Sequence, residues 1–403
     1  MNIYCKIAIK YILRFLLFPL RLFPVKADRI TLLNDLGSYA DSPASICNYL
    51  LQHGHVLDIC FACNPPFPQI DGVSFFNKRS LAFFIKSLHS RVFLTNNGGV
   101  SYMPFSRHTT VVNTWHGGGP CKRITAPQHR CPAILKDRDL AASKTHIFLS
   151  SCTVFSQGAI EDHLSTKESL WEIGLPRNDV FFTPQALNSI ALKVRSELGL
   201  SENDKFVLYA PTFRKARHSS LNALNPFLNE TQIEFIKGTL KKATQENWQF
   251  GYRSHRLTFS PRTVCNAIDL NHYPDMQRLL CAADALITDY SSSVWDFSLT
   301  GNPIFIFAPD RLSYERERGF YMPMAQWGFP IAENIRELAN NILSFDRQKY
   351  LKSLQQYHCK AGIAETGQAS AIVGRKILSI IDGDNWDKET SSKKTFLNKP
   401  HPF

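Results

Sequence analysis

The sequence predicts an α/β protein built as two doubly wound halves, and three observations carry the prediction. Short apolar runs alternate with helical stretches from Arg29 to Leu164, and the alternation restarts at Phe206 after a break at Asn178–Asn188. Such alternation lays parallel strands in a sheet with helices on both faces. The 403 residues exceed what one hydrophobic core usually serves, which favours two domains. The unusual polar residues fall at the carboxyl ends of the apolar runs, where open α/β sheets bind ligands.

Taken in order, the first 27 residues stand apart. Ile3–Phe23 is rich in Ile, Leu, Phe and Tyr, yet Lys6, Lys10, Arg14 and Arg21 interrupt it at spacings that align them along one helix face. Its longest uncharged run, Phe15–Leu20, is too short to span a bilayer and short for a signal-peptide core. A basic amphipathic helix lying on an anionic membrane surface fits better, ended or kinked by Pro19 and Pro24. Strands are then expected at 30–33, 56–61, 92–95, 109–114 and 147–149, with helices at 42–53, 79–88 and 155–164. The second series has strands at 206–209, 250–252, 285–287 and 304–307. Its helices are expected at 231–246, 276–283, 294–299, 335–344 and 369–381. These give boundaries of 1–27 for the membrane-surface helix, 28–188 and 189–383 for the halves, and 384–403 for a polar, unstructured tail.

The formal net charge of +12 points to an anionic partner: nucleic acid, a phosphorylated substrate or anionic lipid. Basic patches interleaved with aromatics and a helix-turn-helix are absent, which argues against nucleic acid. The ten cysteines show no framework spacing, and Cys60-Phe-Ala-Cys63 is a lone C-x-x-C best read as buried thiols. A reducing, cytoplasmic compartment is expected. No Walker A loop, G-x-G-x-x-G or clustered metal-ligand set occurs, so neither a metal nor a cofactor is expected.

Six constellations carry the chemistry. Asp289-Tyr-Ser291-Ser292-Ser293 ends a buried strand and opens a helix, where backbone N–H groups and the helix dipole favour phosphate and the serines can cap. Trp115-His116-Gly117-Gly-Gly follows a strand directly; the glycines allow close backbone approach, and an imidazole suits general base work near neutral pH. Lys122 behind it can hold phosphate. Tyr209-Ala-Pro-Thr212-Phe-Arg214 and Tyr252-Arg253-Ser-His255-Arg end two further strands, where arginine can pair with phosphate bidentately. Gly174-Leu-Pro-Arg177-Asn-Asp179 marks the junction of the halves, readable as a turn or as a cleft contribution from Arg177. Asp310 with Tyr314, Arg318, Gly319 and Tyr321 reads as a polar loop after the strand at 304–307.

In this order, these motifs resemble the CDP-glycerol glycerophosphotransferase family of teichoic acid and capsule polymer enzymes. The resemblance rests on T-W-H-G at 114–117, G-L-P-R-N-D at 174–179, Y-A-P-T-F-R at 209–214, R-S-H at 253–255, I-T-D-Y-S-S at 287–292 and the spacing of Tyr314, Arg318, Gly319 and Tyr321. It implies a glycosyltransferase-B-type fold, with two Rossmann-like domains facing one another, the first for acceptor and the second for donor. It implies attack of an acceptor hydroxyl, on a lipid-linked or polymer acceptor, at the β-phosphorus of CDP-glycerol or another CDP-alditol, releasing CMP at the cytoplasmic face of the membrane. His116 would be the base and His255 would support the leaving group. Arg253, Asp289, Ser291, Ser292, Ser293, Thr212, Arg214 and Arg318 would serve the donor. Trp115, Gly117, Lys122 and Arg177 would form the acceptor side or cleft. A nucleotide-sugar glycosyltransferase of the same architecture is the alternative.

Overall fold

The computed structural model describes residues 3–54, 56–98, 100–124, 131–162, 169–212, 228–254 and 266–383. His255, Arg214 and the tail from 384 lie outside them.

Two parallel sheets organise the chain. The first uses β1 (Lys26–Leu33), β2 (Asp58–Cys63), β3 (Val73–Asn77), β4 (Ser90–Thr95), β5 (Thr110–Asn113), β6 (Ile147–Ser150) and β7 (Leu170–Glu172) in the order β3-β2-β1-β4-β5-β6-β7. The second uses β8 (Asp204–Ala210), β9 (Asn247–Tyr252), β10 (Ile268–Asp269), β11 (Ala285–Thr288), β12 (Ile304–Phe307) and β13 (Ile331–Ala332) in the order β10-β9-β8-β11-β12-β13. The strand order reverses at β1/β4 in the first sheet, in register Leu33↔Thr95, and at β8/β11 in the second, in register Ala210↔Thr288. Ligand crevices in doubly wound sheets open where the order reverses.

The central strands are apolar because helices cover both faces. On one face of the first sheet, Ile30, Leu32, Ile59 and Leu94 pack with Ile46 and Leu50 of α2 (Asp41–His53). On the other, Phe93 and Val111 meet Phe83 of α3 (Leu81–Leu88) and Leu17 of α1 (Ile3–Leu17). The remaining helices of the first half are α4 (Pro132–Ala142) and α5 (Thr153–Asp162). In the second half, Val207, Phe250 and Ile287 pack against α7 (Glu230–Thr244), which follows α6 (Pro184–Glu197) and starts with a reciprocal cap between Asn229 and Gln232. Then come α8 (Met276–Ala282), α9 (Ser293–Ser298), α10 (Arg311–Arg318), α11 (Ile335–Leu343), α12 (Arg347–Ala361) and α13 (Ala369–Asp382). The segment expected to be a polar loop after β12 is therefore largely the helix α10.

Three devices tie the halves together. One apolar cluster runs continuously from Phe148, Cys152 and Phe155 to Leu208, Leu286, Trp295 and Tyr357. The stretch 120–123 bonds backbone to backbone with 319–322: Tyr321 N–H to Cys121 O at 2.9 Å, Met322 N–H to Pro120 O at 3.0 Å. Finally, α13 returns to the first half, where Val373 and Ile377 join Ile46 and Leu50. A side chain at Gly374 would collide with Tyr49, its Cβ 2.1 Å from the ring, so only glycine permits this approach.

At the amino terminus α1 packs by Leu13 and Leu17, Lys10 pairs with Asp137 at 2.6 Å, and Arg14 donates to Ser101 O at 3.0 Å. Two of the four aligned cations thus turn toward the protein, and the outward residues include Ile12 (60% exposed), Phe15 (80%) and Leu16 (66%). No helix among the described residues is long and apolar enough to cross a membrane. Cys60 and Cys63 are buried free thiols.

Candidate active site

A cleft of about 1080 Å³ opens between the sheets, bordered by the loops that leave both reversal points. Of the residues singled out in the sequence, Trp115, His116, Gly117, Lys122, Arg177, Thr212, Arg253, Ser291, Ser292, Ser293 and Arg318 border it. Asp289 does not. Arg214 and His255 lie outside the described residues.

The first half supplies the basic side. Asn113 at the end of β5 accepts the Trp115 N–H through Oδ1 at 2.8 Å, and Trp115 takes the left-handed backbone region at φ +55. That turn throws His116 into the cleft with the indole stacked on it at 4.7 Å between centroids. His116 Nδ1 lies 2.9 Å from the Asn96 carbonyl oxygen. A carbonyl can only accept, so Nδ1 carries the proton and Nε2 keeps its lone pair, with no hydrogen-bond partner among the described residues. The ring is open to the cleft on one side yet set deep enough that desolvation lowers its pKa from the usual 6.5. The Asn96 bond and Asp41 pull it up, and Lys122 and Arg177 push it further down. His116 is therefore neutral near pH 7 and able to take a proton.

The second half supplies the anion side. Ser292 precedes α9 without capping it by its side chain, so the capping explanation for this serine fails. Ser293 Oγ is buried without a hydrogen-bond partner among the described residues. Arg253 borders the cleft with its guanidinium desolvated, which lowers its pKa. Asp275 and Tyr273 oppose that fall from nearby, but no carboxylate pairs with it among the described residues. An orphan hydroxyl and a desolvated cation on the same cleft are groups that a phosphate would satisfy. Gly117 brings the two sides close: a Cβ there would sit 3.5 Å from Ser292 Oγ, so the histidine turn and the serine turn face each other across the cleft about a methyl group apart.

Asp289 is placed differently from the expectation, and Arg177 keeps its place at the cleft but is engaged within the protein. Asp289 is completely buried behind the cleft. It accepts the Thr212 N–H at 2.9 Å and the Thr212 hydroxyl at 2.5 Å, clamping Thr212 across the β8/β11 reversal. Arg177 borders the cleft, but its guanidinium is engaged by Asp41 at 3.2 Å and Asp296 at 3.0 Å, joining α2 to α9. The rest of that motif is equally structural. Asn178 donates to Asp296 and Glu365, and Asp179 caps α13 by accepting from Ala369 N–H and Ser370 N–H. Glu365, enclosed by Leu175 N–H, Trp295 and Asn178, is pushed up to about 7, chiefly by burial.

Sequence reasoning missed Asn34, Asp41 and Asn96 around the β1/β4 reversal, and Asn271 and Gln277 on the opposite wall. Asn34, Asn96 and Asn271 carry only the signal of a polar residue just past an apolar run, and Asp41 and Gln277 carry none.

The arrangement is a two-sheet α/β protein with a cleft between the sheets, an imidazole on one wall and serine hydroxyls with an arginine on the other. The chain belongs to the family described as CDP-Glycerol:Poly(glycerophosphate) glycerophosphotransferase, whose sequence profile matches residues 16–379. It is 26% identical over 358 residues to a teichoic acid poly(glycerol phosphate) polymerase of Staphylococcus epidermidis, covering 84% of this chain and 48% of that protein. It is 25% identical over 357 residues to a teichoic acid glycerol-phosphate transferase of Staphylococcus aureus, covering 84% of this chain and 90% of that one. The chain thus spans about half the length of the first relative and most of the second. Among solved structures it is similar to the wall teichoic acid polymerase TagF. For a histidine-to-asparagine variant soaked with CDPG, the TM-score is 0.79 at 24% identity, over 93% of this chain and 94% of that one. That likeness shows the shared fold.

Proposed function

We propose that this protein transfers glycerol phosphate, or a related alditol phosphate, from a CDP-activated donor to an acceptor hydroxyl in cell-surface polymer synthesis. Family membership supports the donor class, and the close facing of the His116 turn and the Ser292 turn on one cleft carries the mechanism. The acceptor hydroxyl gives its proton to His116 Nε2 as its oxygen bonds to the β-phosphorus. The bond from that phosphorus to the bridging oxygen breaks, and CMP leaves. Ser291, Ser292, Ser293, Arg253 and Arg318 hold the diphosphate, with His255 and Arg214 as further donor contacts by resemblance and Lys122 on the acceptor side; Thr212 gives both its N–H and its hydroxyl to Asp289 and lines the donor wall. Asp289 acts through Thr212, and Trp115 and Gly117 shape the acceptor approach. Positioning and charge stabilisation supply most of what a phosphoryl transfer requires.

In this reading the halves, 28–188 for acceptor and 189–383 for donor, form a glycosyltransferase-B-type pair. The N-terminal helix lies on the cytoplasmic face of the membrane, which presents the lipid-linked or polymer acceptor. The outward Ile12, Phe15 and Leu16 support that docking, as does the gathering of Arg14, Arg21 and Lys144 near one another. A nucleotide-sugar glycosyltransferase would use the same cleft and release a nucleoside diphosphate instead. The test is His116→Ala. Donor binding should persist while CMP release falls by about 10²- to 10⁴-fold, the range of a general base. Undiminished turnover removes His116 as the base.

A further inference from the structure

The histidine turn is held from behind by a chain of buried polar groups that the transfer mechanism does not itself use. Imidazole has two neutral tautomers, and only a proton on Nδ1 leaves Nε2 free for an acceptor hydroxyl. The Asn96 carbonyl imposes that tautomer, provided its peptide stays put. Residue 96 lies just past β4, at the sheet reversal, where strand pairing has ended. Its side chain therefore does the anchoring. Oδ1 accepts the Asp35 N–H at 3.0 Å, and Nδ2 donates to Asn34 Oδ1 at 2.8 Å and Asp41 Oδ2 at 2.9 Å. Asn34 and Asn96 are completely buried, and Asp41 is 8% exposed.

Asp41 is the charged member of this set, and it is strained. It opens α2 at φ +62, a left-handed conformation that non-glycine residues rarely hold without a reason. Its other oxygen accepts from Arg177, which also pairs with Asp296. Asp296 lies on α9, the helix that Ser292 and Ser293 lead. One connected path thus runs from the serine turn of the second half to the imidazole of the first.

We infer that Asp41 is a positioning residue for the transfer reaction: through Asn96 it holds His116 in the Nδ1–H tautomer, and through Arg177 it sets that histidine against the serine turn of the other half. The inference rests on His116 being the base. A purely structural Asp41 would stabilise the start of α2 and leave the imidazole indifferent to it.

The experiment uses the full chain with ¹⁵N-labelled histidine. Imidazole nitrogen shifts report the His116 tautomer in the resting protein, and kcat/KM against pH is measured for the wild type, Asp41→Asn and Asn34→Ala. The charged groups bearing on the ring are Asp41, which favours the imidazolium, and Lys122 and Arg177, which oppose it. Wild type should show the Nδ1–H form alone. Asp41→Asn should show a tautomer mixture, an acid limb moved to lower pH, and kcat reduced by about 10²-fold, as a small misplacement of a reacting group produces, with the donor KM unchanged. Asn34→Ala, which removes one neutral anchor, should show the same tautomer mixture with a smaller loss of kcat. It decides the matter if Asp41→Asn does not fold. A pure Nδ1–H form with an unmoved acid limb in the folded variants overturns the inference and leaves the base assignment intact. Full turnover by His116→Ala overturns the base assignment, and the tautomer measurement then stands alone.

Discussion

Arg177→Met removes the guanidinium that joins the halves while keeping an unbranched apolar stem. Arg177 is 4% exposed, and its partners Asp41 and Asp296 are 8% and 4% exposed. Burial opposes its charge, and the two carboxylates more than compensate, leaving its pKa raised. Deleting the cation strands two nearly buried carboxylates without their counter-ion. Breaking a buried pair in this way costs about 3–5 kcal/mol, against a total stability of about 5–15 kcal/mol for a typical protein. Asn178 and Gln277 still donate to Asp296, which places the expected loss toward the lower end, near 3 kcal/mol. The assay is urea unfolding at pH 7 and again near pH 5. The stranded charges are relieved by proton uptake, so the deficit should shrink as pH falls. Asp296→Asn added to Arg177→Met should restore part of the loss by removing one of the two charges. A deficit below about 1 kcal/mol at pH 7, or one independent of pH, refutes the argument that this ion triad locks the halves.

Four further outcomes are expected. Gly119 sits at φ +73 with a hypothetical Cβ 2.6 Å from buried Trp295, so Gly119→Ala should cost about 2–4 kcal/mol in urea unfolding. Gly199→Ala, at φ +68 with open space around it, should cost only about 1–2 kcal/mol, and equal losses would discount the Trp295 contact. Glu365, raised from 4.5 to about 7, binds its proton more tightly folded than unfolded. Its contribution is full below pH 4.5 and is lost as pH rises through about 7, roughly 3 kcal/mol over that window. Glu365→Gln should flatten the slope in stability-versus-pH measurements. Because desolvation lowers the His116 pKa, kcat/KM should climb with pH to a plateau, with its acid midpoint below 6.5; a midpoint above 6.5 contradicts the desolvated imidazole. Ile12→Glu with Phe15→Glu should abolish co-sedimentation with anionic vesicles while leaving transfer to a soluble acceptor unchanged; undiminished vesicle binding removes α1 as the membrane contact.

The central strands were legible because β4, β8 and β11 are buried on both faces and therefore read as unbroken apolar runs. The short strands β3, β7, β10 and β13 escaped notice. Val73–Asn77 is half-exposed along its length, and Ile331–Ala332 is too brief to carry a period. The helix α10 hid behind Glu315-Arg-Glu-Arg318, which resembles a solvated loop, and α12 behind its glutamines and lysines, although Tyr350, Leu354, Tyr357 and Ala361 trace its buried stripe. At the site, residue type was easier to read than direction. Asp289 belongs to a motif that reads as a phosphate site and Arg177 has a cation that could serve the cleft, yet strand register turns one toward Thr212 and ion pairing turns the other toward Asp41 and Asp296. Asn34, Asp41 and Asn96 belong to no motif. Their meaning depends on β1 lying beside β4, a pairing that strand order in the chain does not reveal.

The most direct test of the proposed activity is product analysis with purified protein, a membrane-derived acceptor, and a panel of CDP-alditols and nucleotide sugars. The account predicts acceptor-dependent CMP release from CDP-glycerol or a related CDP-alditol, with the alditol recovered on the acceptor through a phosphodiester. No CMP from any CDP-alditol, together with a nucleoside diphosphate and a glycoside from a nucleotide sugar, would contradict it.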